Sequence, residues 1–272
     1  MRGTSRESLR AAKERMDAAL PGGTAAQWNQ LGDDLFAVTR LLDGEPALRR
    51  ALSDPSRDAQ ARTGLAAALL GGTISAAALA QLAGLVSARW SAPSDLADAA
   101  EELAVIAIAK AADAGGELDD TEDELFRFGR IVQANPGLRA ALSNQFAPAE
   151  GRQAVVTDLL AGKVAGPALR LITQAAGHPR GRSLDASLES YARLAAELRE
   201  RLVAEVRVAA PLTDAQRGHL AAALATANGR DVHLNIVLDP EVVGGMSVRI
   251  GDELINGTAV GRLADLRRRL TA

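Results

Sequence analysis

The side chains that most often carry out chemistry are sparse in this chain and far apart. It contains no cysteine, which excludes disulfides, thiolate metal sites and thiol catalysis. His178, His219 and His233 are its three histidines, and they stand in unrelated contexts. Neither Tyr191 nor the scattered carboxylates show a spacing that would bring an acid and a base together. We therefore predict no catalytic residues, no metal ligands and no cofactor.

One glycine pair, Gly244-Gly245, invites comparison with a phosphate-binding loop. Such a loop needs several glycines, a lysine and a serine or threonine at the start of a helix. Here the pair precedes a strand pattern, and no lysine follows Lys163. The glycines favour a sharp turn or a close backbone approach, so we predict no nucleotide site.

Composition narrows the class of protein. The 272 residues are 47% apolar and 24% charged, which is enough to bury a core. Only 3% are aromatic, so alanine and leucine must fill that core, and this favours packed helices. A net charge of −3 with no concentrated basic face opposes nucleic-acid binding. The N-terminus lacks the apolar core of a secretory signal, so we expect a cytoplasmic protein.

An internal repeat organises the first two thirds of the chain. After a shift of 90 positions, residues 35–82 align without a gap on residues 125–172, and Pro46–Ser53 falls on Pro136–Ser143. A match of this length indicates duplication. The uncharged stretch 63–88 is long enough to suggest a membrane span. Its counterpart carries charged residues, so neither copy is expected to cross a membrane.

The elements within each copy are predicted to be short antiparallel helices. Thr121 and Glu124 have the spacing of a capping box that would begin a helix. A helix near 94–113 lies between the copies and could close the first bundle and open the second. Apolar residues from Leu184 to Leu202 then recur every three or four positions, as in a long helix packed along one seam.

The pattern changes at Val203. Alternation over Glu205–Val208 predicts a strand, and Thr213 and Gln216 form a capping box before a helix. Strands are predicted at Val232–Leu238 and Met246–Ile250, and a short return strand at Leu254-Ile255. A final helix is predicted from about Ala259. The predicted fold class is mainly α, with tandem helical bundles followed by a small α/β domain. The predicted domains are 1–94, 95–202 and a β-α-β-β-α unit at 203–272.

Four C-terminal segments also carry a family resemblance: Ala204–Val208, Leu234–Asp239, Val243–Asp252 and Ile255–Leu263. They resemble the signature of the δ subunit of F-type ATP synthases, the oligomycin-sensitivity-conferring protein family. The resemblance covers roughly residues 95–272. The repeat identifies the first 94 residues as a second copy of the bundle, as in the long form of that family.

The resemblance implies a non-catalytic stator subunit of the peripheral stalk. The helical bundle would grip N-terminal helices of α subunits on the catalytic head, and the C-terminal domain would meet the far end of the b subunit. Together they would resist rotor torque during proton-driven ATP synthesis. The implied location is peripheral, at the cytoplasmic face of the plasma membrane, without membrane insertion and without nucleic acid.

The resemblance also suggests where an α-subunit helix would bind. In short family members the bundle is contiguous with the C-terminal domain, so we predict that the second copy holds the helix. The groove would lie between helices near 102–112 and 165–176. The predicted contacts in that groove are Val105, Ile106, Ile108, Leu171 and Ile172.

Two other functions stay open at this point. A helical RNA-binding module of the antitermination type has a similar bundle, but it would need a basic surface. The pI near 5.7 and the 11 acidic residues within 94–130 oppose that reading. An enzyme would need a small-molecule pocket with converging polar groups, for which the sequence offers no candidate set. The acidic stretch itself is either a solvated face or a docking face for a basic partner.

Overall fold

A computed structural model describes residues 1, 3–20, 22–144, 146–199, 202–209, 212–228, 232–239, 242, 245–250 and 253–256. The chain divides into two compact units, Met1–Arg199 and Glu200–Ala272. The first is helical and the second combines a sheet with a helix, which confirms the predicted fold class. The predicted boundaries at 94/95 and 202/203 stay predictions. Among the described residues, every helix is too short or too polar to span a bilayer.

Eleven helices are described in the first unit. In chain order they are α1 Gly3–Ala19, α2 Ala25–Gly44, α3 Pro46–Ser53, α4 Ala59–Leu70, α5 Ala76–Ser87, α6 Pro93–Gly115, α7 Leu118–Ala134, α8 Pro136–Ser143, α9 Ala149–Leu160, α10 Gly166–Gly177 and α11 Leu184–Arg199. Helices α2 to α5 correspond in order to α7 to α10. The short helices α3 and α8 both begin with a proline at the first position, where its missing N–H leaves no bond unmade.

Helix α6 belongs to both copies. It packs against α1, α2, α3 and α5 of the first copy and against α7, α10 and α11 of the second. Residues 103–109 of this helix are all apolar, so that stretch is apolar on every side, and 16 of the 23 residues of α6 are buried. A helix of that kind is stable only inside a core. The two copies therefore share one continuous hydrophobic core around α6.

The duplication preserves two kinds of polar contact that hold the helices in place. The carboxylate of Asp34 accepts a hydrogen bond from the backbone N–H of Ser75 at the start of α5, at 2.8 Å. Its counterpart Glu124 accepts from the N–H of Ala165 at the start of α10, also at 2.8 Å. A negative charge at a helix N-terminus satisfies orphan N–H groups and complements the helix dipole.

In each copy a buried arginine binds the opposite end of the same helix, α5 or α10. The guanidinium of Arg62 donates to the carbonyl of Ala88 after α5, at 3.1 Å. That of Arg152 donates to the carbonyl of Gly177 at the end of α10, at 2.8 Å. Both arginines are buried, and each ties its own helix, α4 or α9, to the end of the following helix. The repeat is thus a repeat of tertiary contacts as well as of sequence.

The predicted capping box at Thr121 and Glu124 is wrong. Helix α7 begins a turn earlier, and the Thr121 hydroxyl donates to the carbonyl of Glu117 at 2.7 Å. Glu124 is engaged instead with α10. A capping box that we did not predict begins α2, where Thr24 and Gln27 bond each other's backbone N–H groups.

The second unit contains a four-stranded sheet in the order β2-β1-β3-β4. Its elements are β1 Leu202–Val208, α12 Asp214–Asn228, β2 Val232–Leu238, β3 Met246–Ile250 and β4 Glu253–Asn256. Strand β1 pairs in parallel with β2 and antiparallel with β3. The capping box of Thr213 and Gln216 before α12 is confirmed. The final helix predicted from Ala259 lies outside the described residues, as does Gly244.

Candidate functional site

All five side chains predicted to contact a partner helix lie inside the core. Val105, Ile108, Leu171 and Ile172 are 0% exposed and Ile106 is 9% exposed. They belong to the cluster of apolar side chains around α6. In this conformation they form the interior of the chain rather than the wall of an open groove.

One cause of this burial is the chain's own α2, which lies along α6 and packs against Ile108. A Cβ on Gly32 of α2 would come within 2.5 Å of the Ile108 side chain and 3.2 Å of the Ala104 carbonyl oxygen. The two helix backbones therefore approach closely at this glycine. The sequence contained a signal of this packing, because residues 103–109 of α6 are apolar on all sides, whereas a groove wall would show one polar face.

Helix α2 also reaches α10, the other wall of the predicted groove. Arg170 of α10 forms an ion pair with Asp33. Arg40 donates from Nη1 to the Oε1 atom of Gln174, at 3.2 Å. Contact with a partner helix through the five predicted residues stays a prediction, and it would require these buried side chains to become exposed.

A network of charged side chains lies where the two copies meet. The loop between α10 and α11 places Arg180 against three carboxylates, those of Asp43, Asp98 and Glu101. The Arg180 side chain is 10% exposed and that of Glu101 is 4% exposed. Arg180 has φ 51°, in the left-handed region that a non-glycine residue enters only at a cost in energy. The network therefore holds this residue against its backbone preference.

Glu101 is the centre of this network. It accepts hydrogen bonds from Arg180, from Arg182 and, at 2.8 Å, from the Tyr191 hydroxyl. Burial and the adjacent Glu101 charge raise the pKa of Tyr191 well above its usual value, so it stays a neutral donor. Burial alone would lower the pKa of Arg180, but hydrogen bonding to Asp43 and the charge of Glu101 outweigh it and raise the pKa.

The network joins helices of both copies, from Asp43 of α2 through Asp98 and Glu101 of α6 to Tyr191 of α11. Paired charges of this kind fix the relative positions of helices, and here the carboxylates' hydrogen-bonding capacity is engaged within the chain. Sequence analysis did not predict this site. A usable signal was the pair Arg180 and Arg182 around Gly181, together with the acidic face of α6.

A histidine at the end of α10 supplies a pH-dependent contribution to stability. Burial first, then the nearby charges of Arg40 and Arg152, lower the pKa of His178 below its usual 6.5. The unfolded chain therefore binds a proton at a higher pH than the folded chain. The stability contributed by neutral His178 is present above about pH 6.5 and is lost as the pH falls through and below that value.

Replacing His178 with glutamine should remove this part of the pH dependence. We expect the difference in unfolding free energy between about pH 7.5 and about pH 5.5 to shrink by at most about 1 kcal/mol, since the half-exposed ring is screened by solvent. Urea unfolding at both pH values measures it. An unchanged pH dependence in H178Q would show that His178 protonates equally in both states. His219→Gln, in the second unit, serves as the control.

Several large apolar side chains are exposed in the first unit. They are Leu69, Phe126, Ile131, Phe146, Val155 and Leu159, with exposed fractions from 39% to 100%. Leu69 and Leu159 are equivalent positions of the two copies. Phe126 and Ile131 lie on α7, and their counterparts in the first copy, Phe36 and Leu41, are buried and half-buried.

Comparisons with known proteins identify the same family over most of the chain. A family model described as the ATP synthase delta (OSCP) subunit matches residues 104–270. A relative from Streptomyces avermitilis, ATP synthase subunit delta, is 53% identical over 99% of this chain and 98% of its own length. The relative of the same name from Thermobifida fusca is 46% identical over 99% of both chains.

One solved structure also matches part of the chain. A chain in the cryo-EM structure of the Toxoplasma gondii mitochondrial ATP synthase hexamer is 16% identical, with a TM-score of 0.26. The match covers 62% of this chain and 95% of that chain. A likeness this low supports no argument about the fold.

Proposed function

The chain belongs to the ATP synthase delta (OSCP) subunit family, and on that premise we propose that it is a stator subunit in the peripheral stalk of an F-type ATP synthase. The observation that carries the proposal is the 53% identity to an ATP synthase subunit delta across 99% of the chain. Because that similarity includes the first 94 residues, the duplicated bundle is part of what these relatives share. The RNA-binding alternative has no such support.

The proposed role is mechanical. A stator connects the catalytic head to the membrane-anchored stalk and transmits torque, so it needs stiff packing and docking surfaces and no reacting side chain. We propose N-terminal helices of α subunits as the partners of the helical unit and the far end of the b subunit as the partner of the C-terminal unit. The location would be peripheral, at the cytoplasmic face of the plasma membrane.

Packing within the helical unit supports this proposal. Helix α6 joins the two copies through one core, and the network around Glu101 ties α2, α6 and α11 together. Such an arrangement resists relative movement of the copies, as a torque-bearing element requires. It also affects how the proposal is tested, because a cut between residues 94 and 95 would remove α6 from the first copy.

The test is functional replacement by the full chain. Membranes from cells that lack the δ subunit would be supplied with the purified chain, and ATP-driven proton pumping and ATP synthesis would be measured. We expect the chain to restore both activities without changing ATP hydrolysis by the isolated catalytic head. Failure to bind to the depleted complex would overturn the proposal.

A second measurement tests the proposed α-subunit partner. A peptide from the N-terminus of the cognate α subunit would be titrated into the full chain by calorimetry. Saturable binding is expected. Its absence, in a chain that still restores proton pumping, would keep the stator role and exclude that peptide as the main contact.

A further inference from the structure

Helix α7 presents an unpartnered face, which we define by Asp123, Phe126 and Arg130. Phe126 is 63% exposed, and the guanidinium of Arg130 lies 6.0 Å from the centre of its ring. The three side chains recur at the three- and four-residue spacing that places them on one side of a helix. Phe126 therefore leaves an apolar ring in water between two charged side chains, and its significance depends on comparison with the first copy.

The duplication shows what such a face binds. The equivalent residues of the first copy are Asp33, Phe36 and Arg40, with the same side chains in the same order. In that copy the phenylalanine is covered, since Phe36 is only 3% exposed, while Asp33 and Arg40 stay at the surface. It borders a cleft of about 350 Å³ whose opposite wall is formed by α9 and α10. One side-chain pattern is therefore partnered in the first copy and open in the second.

The covering helix has a defined chemistry. Arg170 of α10 pairs with Asp33, and the amide oxygen of Gln174, one turn later, accepts from Arg40. Leu169 and Thr173 line the cleft beside Phe36. The partner of this face is thus an amphipathic helix with an arginine and, four residues on, an amide, beside small or aliphatic side chains.

We propose that the face of α7 binds an amphipathic helix of another subunit of the complex, with a basic side chain toward Asp123 and a hydrogen-bond acceptor toward Arg130. This inference rests on the proposed function, because the helix would come from the assembled ATP synthase. It adds a docking surface on α7, separate from the predicted contacts on α6 and α10, which are buried in this structure.

A second copy of this chain would bind the face of α7 less well than a helix that carries the arginine and the amide. The helix that could repeat the internal contact is α5 of the first copy, whose positions equivalent to Arg170 and Gln174 are Ala80 and Gly84. Neither carries a side chain that could pair with Asp123 or Arg130. Association of two chains through this face would lack both polar contacts.

The ion pair that Asp123 already forms on this face can be replaced by a pair with a partner's side chain. Asp123 pairs with Arg127 at 3.1 Å, but their side chains are 69% and 72% exposed. Exposed pairs of this spacing contribute little to helix stability, so a partner's arginine displaces Arg127 at little cost. The first copy has Ala37 at the position of Arg127, which shows that the covered face does not need this arginine.

The absence of cysteine allows a direct test of accessibility in the intact assembly. Arg127→Cys places a single thiol beside the face, and its rate of reaction with a maleimide would be measured in the free chain and in the reconstituted ATP synthase. We expect at least a tenfold slower reaction in the assembly. Ser56→Cys, in the exposed turn before α4, is the matched reporter of reagent access.

The outcomes separate this inference from the proposed function. Equal labelling of Arg127→Cys in both states, in a chain that has entered the complex, overturns the docking face and leaves the stator role intact. Failure to enter the complex is a failure of the stator role. Protection that grows with the concentration of the free chain would instead identify a second copy as the occupant and overturn the choice of partner.

A second variant asks whether Phe126 is the anchor. Adding Phe126→Asp to Arg127→Cys should return the labelling rate in the assembly to that of the free chain, because a charged side chain cannot enter an apolar contact. Phe126 is exposed and contributes little to the core, and circular dichroism of the free variant checks that the chain stays folded. Protection that survives this change would contradict a contact made through α7.

Discussion

Replacing Arg180 with glutamine should lower the unfolding free energy of the helical unit by about 3–5 kcal/mol, among the largest effects of a single substitution in this chain. The change leaves Glu101, whose side chain is 4% exposed, with one cationic partner instead of two. A buried carboxylate that loses an arginine keeps its desolvation cost without the compensating attraction. Denaturant unfolding of the full chain, followed by far-ultraviolet circular dichroism, measures the loss.

The control is an arginine in an exposed pair. Arg193 lies 3.8 Å from Glu197, and both side chains are more than half exposed. Arg193→Gln should change the unfolding free energy by less than about 0.5 kcal/mol. A loss of the same small size for Arg180→Gln would show that the network does not stabilise the bundle.

A double variant distinguishes the loss of attraction between Arg180 and its carboxylates from the cost of burying the Glu101 charge with fewer partners. In the Arg180→Gln variant the buried Glu101 carboxylate keeps only one of its two arginines. If this causes the loss of stability, Glu101→Gln in the same chain should recover part of it, so that the two losses are not additive. Additive losses would mean that Arg180 acts mainly through Asp43 and Asp98.

The contact between α2 and α6 leads to the second large effect. Gly32→Ala should lower the unfolding free energy by about 1–3 kcal/mol, the usual cost of overpacking a core. This loss occurs even though alanine is the better helix former, because the added Cβ would lie 2.5 Å from Ile108 and 3.2 Å from the carbonyl oxygen of Ala104. The side chain can shift, but the carbonyl belongs to the backbone of α6 and resists movement.

Gly64 provides a matched comparison within α4. A Cβ at Gly64 meets no atom within 4 Å, so Gly64→Ala should stabilise the chain by about 0.4–1 kcal/mol through helix propensity and loss of unfolded-state entropy. Opposite signs for the two substitutions would confirm the close approach of α2 and α6. A stabilising Gly32→Ala would contradict it, and Ile108→Val in the Gly32→Ala background should relieve part of the strain.

Local patterns predicted the elements well. The alternation at Glu205–Val208 and the capping box of Thr213 and Gln216 depend on neighbours in sequence, and both are confirmed. The shift of 90 positions correctly indicated a duplicated helical arrangement with a helix between the copies. These features are specified by spacing, which one sequence displays directly.

Long-range contacts were beyond the same reasoning. Glu124 has the spacing of a capping residue for its own helix, yet its carboxylate bonds Ala165, 41 residues away. Likewise Val105 and Leu171 are as apolar as residues of a docking groove, and only their burial in the folded chain shows that they are interior. Spacing defines which face of a helix is apolar, but it does not say whether that face meets the chain itself or another molecule.

The shared helix has a mechanical consequence. Two domains joined by a loop can pivot at the joint, whereas here the joint is α6, a continuous helix of 23 residues that spans about 35 Å at a rise of 1.5 Å per residue. To flex one copy against the other, the chain must bend that helix within its own core. Within the described part of Met1–Arg199 the two copies are thus joined through a shared helix rather than through a linker loop, an arrangement that opposes bending between them.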